Sequence, residues 1–486
     1  MSLKHGVYGG EVPTSIVSPV EASAGLPAVF GTAPIHLANT QEYVNKPVLA
    51  YTYGEAVAAL GYSDDWEKYS LCEYIYSQFQ LFNVGPVVLV NVLDPAEHKT
   101  SVPNLVIPLE KRVAKIEQDG ILLNTLHVKT TSGGASLEKG KDYTAAYDKD
   151  GNVIITALSS GAIPEEQESL YVSFDYLDAG KVTSSDIIGG VDGTTGEYSG
   201  LELVNKIFPM FRLVPGQILA PGWSQDPVVA AVMKAKSSNI NSVFKAISIA
   251  DVDSSASAAN LYSKVPAWKN DNNYTDPLQV ACWPKVILGD KVFHLSTQTA
   301  GVICKTDADN DDIPYVSPSN KNVQANGVIT EDGKEVTLGL DQANYLNSEG
   351  IVTVLNFIGG FKLWGNQTAA YPGVTDVKDS FIAVRRMFNW LNNSLILTYW
   401  QYVDDPTNRR LIDSVVDSVN IWLNGLSARG ALLGGSVAFL KEENPITDLL
   451  RGIVRFHVYA GGQVPAQEID FILEYDVSYL QTLFAA

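Results

Sequence analysis

Two glycine-rich stretches are the first places where this sequence could bind a phosphate group. GGVDGTTGEYSG (189–200) carries glycines at positions 190, 193, 196 and 200, and GASLEKGKD (134–142) has a Gly-Lys pair near its end. The first lacks the GxGxxG spacing of a dinucleotide site. The second is one residue too long for a P-loop and has Asp142 where Ser or Thr would bind magnesium. We interpret GGVDGTTGEYSG as a turn and expect no cofactor.

An acidic run, DADNDD (307–312), resembles the start of a calcium-binding loop. Asp312 stands where such a loop requires glycine, and Pro318 stands where it requires the bidentate glutamate. The six histidines, at positions 5, 36, 98, 127, 294 and 457, include no i,i+4 pair that would place two metal ligands on one helical face. The run is therefore predicted to be a solvated acidic loop, and we expect no metal site.

Serine and aspartate offer the remaining route to catalysis. The sequence contains neither HExxH nor GxSxG, and its nearest serine motif, GGSVA (434–438), follows a predicted helix rather than a strand. Asp251 and Asp253 end a predicted buried strand, a position at which α/β enzymes often carry catalytic carboxylates. A hydrolase with Asp251 in its site stays open as an alternative. We assign no catalytic residue, because neither a base nor a nucleophile is evident beside it.

The composition of the chain limits which classes of molecule can be its partners. The 486 residues are 46% hydrophobic, which is enough for about two to four domains with buried cores. The formal net charge of −20 makes nucleic acid and anionic membrane surfaces poor partners. No apolar run approaches the roughly 20 residues of a membrane span, and the N-terminus lacks the pattern of a signal peptide. We expect no membrane insertion, synthesis in a cytoplasm, and buried thiols at Cys72, Cys282 and Cys304.

The elements that would position these side chains alternate between strand and helix. Four buried strands are predicted in LPAVFGTAP (26–34), GPVVLVNVLD (85–94), PGQILAPG (215–222) and FKAISIAD (244–251), with helical patterns between them. From about residue 100 to 182 the pattern changes to short strands and tight turns, including a hairpin turn at Asp150-Gly151. The sequence therefore predicts a doubly wound α/β core with an inserted, sandwich-like all-β module.

After residue 380 the chain is predicted to be mostly helical. Two apolar stripes at helical spacing define the helices: Phe381, Val384, Phe388, Leu391 and Leu395, and then Leu411, Val415, Val419, Trp422 and Leu426. Asp405-Pro406 and Gly430 are predicted to mark the start and the end of the second helix.

Arginine is concentrated in the same region. Seven of the nine arginines follow residue 380: Arg385, Arg386, Arg409, Arg410, Arg429, Arg451 and Arg455. Guanidinium groups form bidentate pairs with carboxylates, so this enrichment in an acidic chain favours ion pairs with an acidic surface. That surface could belong to a neighbouring subunit or to another protein, and we select Arg385, Arg386, Arg409 and Arg410 as candidates.

Both ends of the sequence have the pattern of an amphipathic strand without a partner. GVYGGEVPTSIVSPV (6–20) and QEIDFILEYDVSYLQTLF (467–484) carry the eight candidate subunit-linking residues: Val7, Tyr8, Val12, Ile16, Ile469, Phe471, Leu473 and Tyr475. Exposed strand edges are templates for association, and strand addition uses them to join chains. We therefore predict extended N- and C-terminal β arms that pair with other copies of the chain.

Several motifs spread along nearly the whole chain occur in a recognisable order: GVYGGEVPTSIVSPVEASAGLPAVFGTAP (6–34), AGVICKTDADNDDIPYVSPSN (300–320), FKLWGNQT (361–368), VRRMFNWLNNSL (384–395) and GGQVPAQEIDFILEY (461–475). Together they resemble the contractile bacteriophage tail sheath proteins, a family that includes the sheaths of phage-like bacteriocins. The N-terminal arm leading into a strand that ends in Gly-Thr-Ala is the most extended part of this resemblance.

The resemblance implies five regions: a linking arm (1–25), a subtilisin-like α/β core without a working triad (26–98 and 186–350), an outward-facing inserted β domain (99–185), a helical α+β C-terminal domain facing the tube (351–464) and a strand arm (465–486). It implies a structural subunit rather than an enzyme, made in a bacterial host cytoplasm and located in the virion tail sheath. The implied partners are further copies in stacked rings of six, an inner tail tube protein, the baseplate and the tail terminator. The four candidate arginines would then face the tube or a neighbouring subunit.

Two alternatives remain open within the class of structural proteins. A phage-like bacteriocin or a secretion machine would use a sheath of the same kind as a virus. The inserted β module could in addition act as an adhesin-like binding domain, as an accessory to assembly.

Overall fold

The computed structural model describes residues 20–149 and 151–484. Its strands are β1 (Pro27–Gly31), β2 (Val48–Ala50), β3 (Val87–Asn91), β4 (Lys99–Pro108), β5 (Val113–Ile116), β6 (His127–Lys129), β7 (Tyr143–Tyr147), β8 (Val153–Ala157), β9 (Ser169–Leu177), β10 (Gly190–Val191), β11 (Tyr198–Ser199), β12 (Gln217–Leu219), β13 (Ile247–Asp251), β14 (Gln279–Cys282), β15 (Lys285–Leu288), β16 (Lys291–Phe293), β17 (Gly327–Ile329), β18 (Ile351–Asn356), β19 (Phe361–Trp364), β20 (Leu432–Ala438) and β21 (His457–Gly462).

The α-helices are α1 (Tyr53–Leu60), α2 (Ser70–Tyr76), α3 (Ser184–Ile188), α4 (Val204–Phe211), α5 (Pro227–Ser238), α6 (Val265–Asp271), α7 (Leu295–Ala308), α8 (Leu340–Ser348), α9 (Val377–Ser380), α10 (Ile382–Tyr399), α11 (Arg409–Ala428) and α12 (Ile446–Leu449). A π-helical turn, Ser77–Phe82, continues α2, and short 3₁₀ helices include Trp400–Tyr402 and Val477–Phe484. Within the described ranges, no helix has the length and apolar composition needed to cross a bilayer.

An eight-stranded sheet forms the centre of the molecule, in the order β19-β18-β14-β13-β12-β1-β3-β2. The strands from β18 to β3 run parallel, whereas the edge strands β2 and β19 are antiparallel to their neighbours. The chain places β3 on one side of β1 and then β12 to β18 on the other, which is the strand order of a doubly wound sheet. The sheet extends past residue 350, the expected end of the core, because β18 and β19 complete it.

Both faces of this sheet are buried. Ile249 and Ala250 are neighbours in β13 but belong to different apolar clusters, and Val280 and Ala281 in β14 divide in the same way. Successive side chains of a strand point to opposite faces, so at β13 and β14 each face is covered by its own cluster. In β1, β3 and β12 successive residues all belong to the first cluster, which therefore covers both faces there. This burial on two sides explains why the predicted strands are continuous apolar runs rather than alternating ones.

The inserted module lies between β3 and α3. Strands β4 to β9 form two antiparallel sheets, β4-β9-β6 and β5-β8-β7, which enclose a separate apolar cluster that includes Val128, Ile155 and Val172. The predicted hairpin turn joins β7 to β8, with Gly151 at a positive φ of 83° and Asp150 outside the described residues.

A buried histidine lies where the module meets the core. The hydroxyl of Tyr69 donates to Asp119 of the module at 3.0 Å, and His36 Nε2 lies 3.8 Å from the same carboxylate. The ring of His36 also meets that of Tyr147 edge-on, with centroids 5.7 Å apart. Burial lowers the pKa of His36 to about 4, against a smaller opposing effect of the Asp119 charge. The imidazole is therefore neutral at pH 7.

Helices α10 and α11 carry the predicted apolar stripes and pack against each other. The rings of Trp390 and Trp422 lie 5.6 Å apart within a third apolar cluster, and the β20–β21 hairpin completes this C-terminal unit. Helix α11 begins after Asn408, whose side chain accepts the N–H of Leu411, and not at Asp405-Pro406 as predicted. An Asn side chain satisfies an otherwise unpaired N–H of the first turn, so it marks the true start.

The C-terminal strand prediction is wrong for the single chain. Residues 463–476 form no strand, and Val477–Phe484 form a 3₁₀ helix. The last side-chain hydrogen bond between this arm and the body runs from Gln367 Nε2 to Gln467 Oε1, at 3.2 Å. A β-strand exists through hydrogen bonds to a neighbouring strand, and the described part of the same chain supplies none here.

Candidate assembly surfaces

The C-terminal arm, residues 465–484, exposes apolar side chains along its length. The four residues predicted to link subunits are between 70% and 94% exposed: Ile469, Phe471, Leu473 and Tyr475. Exposed apolar surface on this scale marks an interaction site. The N-terminal candidates Val7, Tyr8, Val12 and Ile16 lie outside the described residues.

The β20–β21 hairpin offers an acceptor for added strands. Its two strands pair antiparallel from Leu432 and Gly462 to Ala438 and His457, and no third described strand joins them. The hairpin packs against α11, and no described strand pairs with the outer edge of either strand. On β20 the Asn420 side chain binds both the N–H and the carbonyl oxygen of Val437, so β21 offers the freer edge. Free edges of this kind template strand addition.

Residues 20–25, here called the strap, are the last part of the predicted N-terminal arm and lie along α10. Four α10 side chains spaced four residues apart contact the strap backbone: Arg386, Trp390, Ser394 and Thr398. Ser394 and Thr398 accept the N–H groups of Ala22 and Val20 at 2.9 and 2.8 Å. Helix positions four apart share one face, so a single face of α10 binds the strap.

Glu21 ties the strap to the second helix as well. Its carboxylate accepts a hydrogen bond from the Trp422 indole at 3.3 Å and lies 2.9 Å from Arg429 Nη2. The strap is therefore held by both α10 and α11. These contacts are not predicted from the sequence, although the spacing of Arg386, Trp390, Ser394 and Thr398 at every fourth position of α10 is visible in it.

Arg386 is not available to a partner, contrary to the prediction. Its guanidinium forms a bidentate pair with Asp307, in which Nη1 donates to Oδ1 at 3.0 Å, and both side chains are 3% exposed. Asp307 lies in the last turn of α7 and is buried, so the prediction of a solvated loop is wrong at this residue. Burial removes both charges from water, and only their mutual pairing makes that tolerable.

The other three candidate arginines differ in exposure. Arg385 is mostly buried and pairs with Asp379 of its own chain at 2.7 Å. Arg409 pairs with Asp413 one turn along α11, at 2.9 Å, and its side chain is exposed. Arg410 is exposed beside it. Arg409 and Arg410 are therefore the candidates that can reach an acidic partner.

Asp251, the basis of the hydrolase alternative, is buried in a polar cluster. Its carboxylate accepts the N–H and the hydroxyl of Ser296 at 2.9 and 2.5 Å, and the hydroxyl of Ser224 at 3.2 Å. Burial raises the pKa of Asp251 above its usual value, although the nearby His294 and the Ser296 hydrogen bonds oppose this rise. The geometry joins the end of β13 to the first turn of α7, a stabilising position for a carboxylate.

His294, a side chain that could act as a base, lies near this cluster, but its Nδ1 contacts Glu73 and not a hydroxyl of the cluster. His294 Nδ1 lies 2.7 Å from Glu73 Oε2, and the His294 N–H donates to Glu73 Oε1. The two hydroxyls of the cluster bond Asp251 instead of His294, so the described residues here form no nucleophile–base pair. Nor do the described ranges contain a group of His, Cys, Asp or Glu arranged to hold a metal ion.

The chain is similar to tail sheath proteins of a phage and a prophage along most of its length. No family model matches the chain. Over 489 residues it is 29% identical to the tail sheath protein of Burkholderia phage BcepMu, an alignment that covers 99% of this chain and 98% of that protein. Over 346 residues it is 25% identical to a putative prophage major tail sheath protein of Pseudomonas aeruginosa, covering 70% of this chain and 84% of that one.

Solved structures share the fold. The sheath complex of PVC, an extracellular contractile injection system, matches in its contracted state with a TM-score of 0.56 and 14% identity, over 98% of this chain and 99% of that chain. The contracted helical sheath of the anti-feeding prophage matches with a TM-score of 0.55 and 14% identity, over 98% and 100%. The resemblance noted in the sequence is thereby confirmed: along nearly its whole length the chain is similar to a tail sheath protein, and it shares the fold of contractile sheath subunits.

Proposed function

We propose that this chain is the structural subunit of a contractile tail sheath, which polymerises as stacked rings around an inner tube and contracts to drive that tube through a cell envelope. One observation carries the proposal. The C-terminal arm exposes its apolar side chains and forms no strand with the described residues, while no third described strand pairs with β20–β21 of the same chain.

Strand addition accounts for both halves of this observation. An arm that supplies N–H and C=O groups and alternating apolar side chains fits an open sheet edge. Because donor and acceptor lie on different parts of one chain, the contact is heterologous and propagates into rings or helices rather than closing as a dimer. The candidate donors are Ile469, Phe471, Leu473 and Tyr475, together with Val7, Tyr8, Val12 and Ile16 of the N-terminal arm.

Contraction then moves packed bodies that stay linked by arms. The core sheet, the inserted module and the C-terminal helices each enclose a buried apolar cluster, and close-packed units move as rigid bodies. The arms keep neighbours connected during the movement. New contacts between bodies in the contracted lattice supply the work, so the extended lattice is held by a kinetic barrier.

The remaining expectations complete the proposal. The C-terminal domain faces the tube, with Arg409 and Arg410 available for ion pairs, and the inserted module faces outward. The α/β core, subtilisin-like without a working triad, is a structural element. Rings of six copies span the tail between the baseplate and the tail terminator, after synthesis in the bacterial host cytoplasm.

Electron microscopy of the purified full-length chain tests the proposal, with striated tubes or rings as the expected result. A Phe471→Asp, Leu473→Asp variant should lose these assemblies, since it places charge on the apolar face of the arm. The matched control, Asp470→Ser with Glu474→Ser, changes alternate positions and should still assemble. Both variants should keep the wild-type melting temperature, because these positions are exposed. Uniform monomers with measurable hydrolytic turnover from the wild type would overturn the proposal in favour of an enzyme.

A further inference from the structure

The inserted module is joined to the α/β core by two chain segments and a small contact surface, here together called the junction. Residues 92–98 lead from β3 to β4, and residues 178–183 lead from β9 to α3. Of the described buried apolar side chains between residues 99 and 177, only Leu122 and Leu177 belong to the core's cluster, and the others form a cluster of their own. A small contact between separately packed units can open without unfolding either unit.

His36 is the buried core residue at this junction. Its side chain is 0% exposed, and neither ring nitrogen has a hydrogen-bond partner among the described residues. The groups that face it are Asp119, at 3.8 Å, and the rings of Tyr69 and Tyr147. Asp119 is shared with the Tyr69 hydroxyl and with Lys68 Nζ, which lies 3.6 Å away, and its side chain is 35% exposed. Its charge therefore compensates a proton on His36 only in part, and a buried imidazolium without an acceptor is costly.

His98 is a second histidine of the junction and ends the first connecting segment. The backbone N–H of Asp94 donates to His98 Nδ1 at 3.0 Å, and Nε2 lies 3.6 Å from Asp186 of α3. The carbonyl oxygen of His98 accepts the N–H of Asp178, so the same residue joins the two connecting segments. An acceptor nitrogen carries no proton. Protonation of Nδ1 would therefore replace the bond to Asp94 by two opposed N–H groups.

A cavity of about 700 Å³ lies beside His98. Its charged lining comprises Asp94, Glu97, Asp186, Asp192, Glu197, Lys46 and Lys206. Carboxylates outnumber ammonium groups there, so the cavity favours a positively charged ring. A protonated His98 that leaves the Asp94 N–H has both space and negative charge beside it. The docked junction thus fits the neutral form of both histidines.

We propose that the junction is acid-sensitive: protonation of His36 and His98 releases the inserted module from the core while each part stays folded. The inference goes beyond the proposed function and does not depend on it, because every residue involved lies in one copy. Burial lowers the pKa of His36 to about 4, whereas a solvated imidazole has a pKa of about 6.5. The released form therefore binds the proton more tightly, and lowering the pH from 7 to 4.5 favours release about fiftyfold through His36 alone.

Electron–electron spin resonance distances on the full chain test the proposal. Nitroxide labels are attached to Thr144→Cys on β7 of the module and Val228→Cys on α5 of the core, both exposed, whereas the native thiols are buried. We expect one narrow distance distribution at pH 7, and at pH 4.5 a second, broad population at least about tenfold larger than at pH 7. Far-UV circular dichroism of the same samples should not change.

Two results with the labelled wild type would overturn the proposal. One is an unchanged distance distribution at pH 4.5. The other is loss of the circular dichroism signal at the pH where the distance broadens, since the module would then separate only by global unfolding.

His36→Phe combined with His98→Asn shows whether these two rings titrate. Phenylalanine fills a buried site without binding a proton, and the asparagine oxygen can accept the Asp94 N–H. This variant should keep its pH 7 distances at pH 4.5. The control, His127→Phe, removes an exposed histidine of β6 and should respond to acid as the wild type does. A wild-type response from the double variant would refute the assignment.

Hydrogen exchange of the unsubstituted chain is a test that needs no variant. At pH 4.5, after correction for the intrinsic rate, residues 92–98 and 117–122 should lose at least about tenfold of their protection relative to pH 7. Strands β8 and β13 lie inside the module and the core and should keep theirs. An equal loss in all four regions, or no loss at the junction, would contradict the proposal.

Discussion

The indole N–H of Trp390 donates a 2.7 Å hydrogen bond to the carbonyl oxygen of Ala22, 368 residues earlier in the chain. This bond lies at the middle of the contact between the strap and α10. The strap is therefore fixed to the C-terminal helices through the side chains of α10.

Trp390→Phe should lower the free energy of unfolding by about 1–3 kcal/mol, because it leaves the buried Ala22 carbonyl without its donor and replaces the buried indole by a smaller ring. Urea denaturation measures the change, and hydrogen exchange at Ala22 should become faster. Trp364→Phe is the control, since the Trp364 indole donates to Asn344 at an exposed position. Equal losses for both variants would contradict a specific role of the strap contact.

Removing one partner of the buried ion pair should be costly. Arg386→Met leaves the Asp307 carboxylate buried and unpaired, and we expect a loss of about 3–5 kcal/mol in the free energy of unfolding. Arg386→Met combined with Asp307→Leu should recover most of it. Arg409→Ala removes an exposed pair and should cost at most about 1 kcal/mol. If the double variant is as unstable as the single one, Arg386 acts through packing rather than charge.

We expect the free energy of unfolding to fall in acid because of the buried His36. Its pKa is lowered to about 4 in the folded chain, so between about pH 6.5 and 4 the unfolded chain binds more protons than the folded one. Stability therefore falls as the pH drops through this window, by about 3 kcal/mol in total. His36→Phe does not titrate and should flatten this part of the profile. Unfolding in urea at pH 7 and pH 4.5 compares the two.

The control for the acid prediction is His127→Phe, because His127 lies exposed on β6. It should retain the wild-type loss between pH 7 and 4.5. An identical pH dependence for wild type and His36→Phe would show that the buried imidazole is not the titrating group.

Charge reversal at Arg409 and Arg410 should affect assembly and not folding. Both side chains are exposed, so Arg409→Glu with Arg410→Glu should leave the melting temperature within a degree or two of the wild type, since surface charges contribute little to stability. Tube formation, followed by sedimentation, should decline. The control, Lys111→Glu with Lys264→Glu, reverses two exposed charges outside the C-terminal unit and should not impair tube formation. The same sedimentation from both double variants would count against an ion-pair role.

The sequence predicts the regular elements well where one chain is sufficient to form them. The apolar runs at residues 87–91 and 247–251 are strands because both faces of the parallel sheet are buried, and the stripe from Val384 to Leu395 lies on α10. In each case the burial that shapes the sequence pattern is supplied by the same chain, so local periodicity is a sufficient signal.

The errors arise where a partner distant in sequence decides the outcome. Arg386 and Asp307 look like solvent-exposed charges until the fold brings them together, because charge alone does not reveal a pairing partner. The predicted end of the core, residue 350, is too early, because β18 and β19 follow it and still join the central sheet. The alternating pattern at 467–477 forms no strand in the single copy, because no described strand supplies hydrogen bonds to it; in the proposed assembly another chain would supply them.

The strap also limits the spacing between linked copies. Since α10 fixes Val20 on the body, the thirteen residues from Val7 to Val20 can span at most about 45 Å when fully extended. Any neighbour that pairs with Val7 must therefore keep its acceptor strand within that radius of Thr398 before contraction, after it and at every stage between. In the proposed sheath, the length of this short peptide would thus set an upper bound on how far two adjacent subunits can separate while the lattice rearranges.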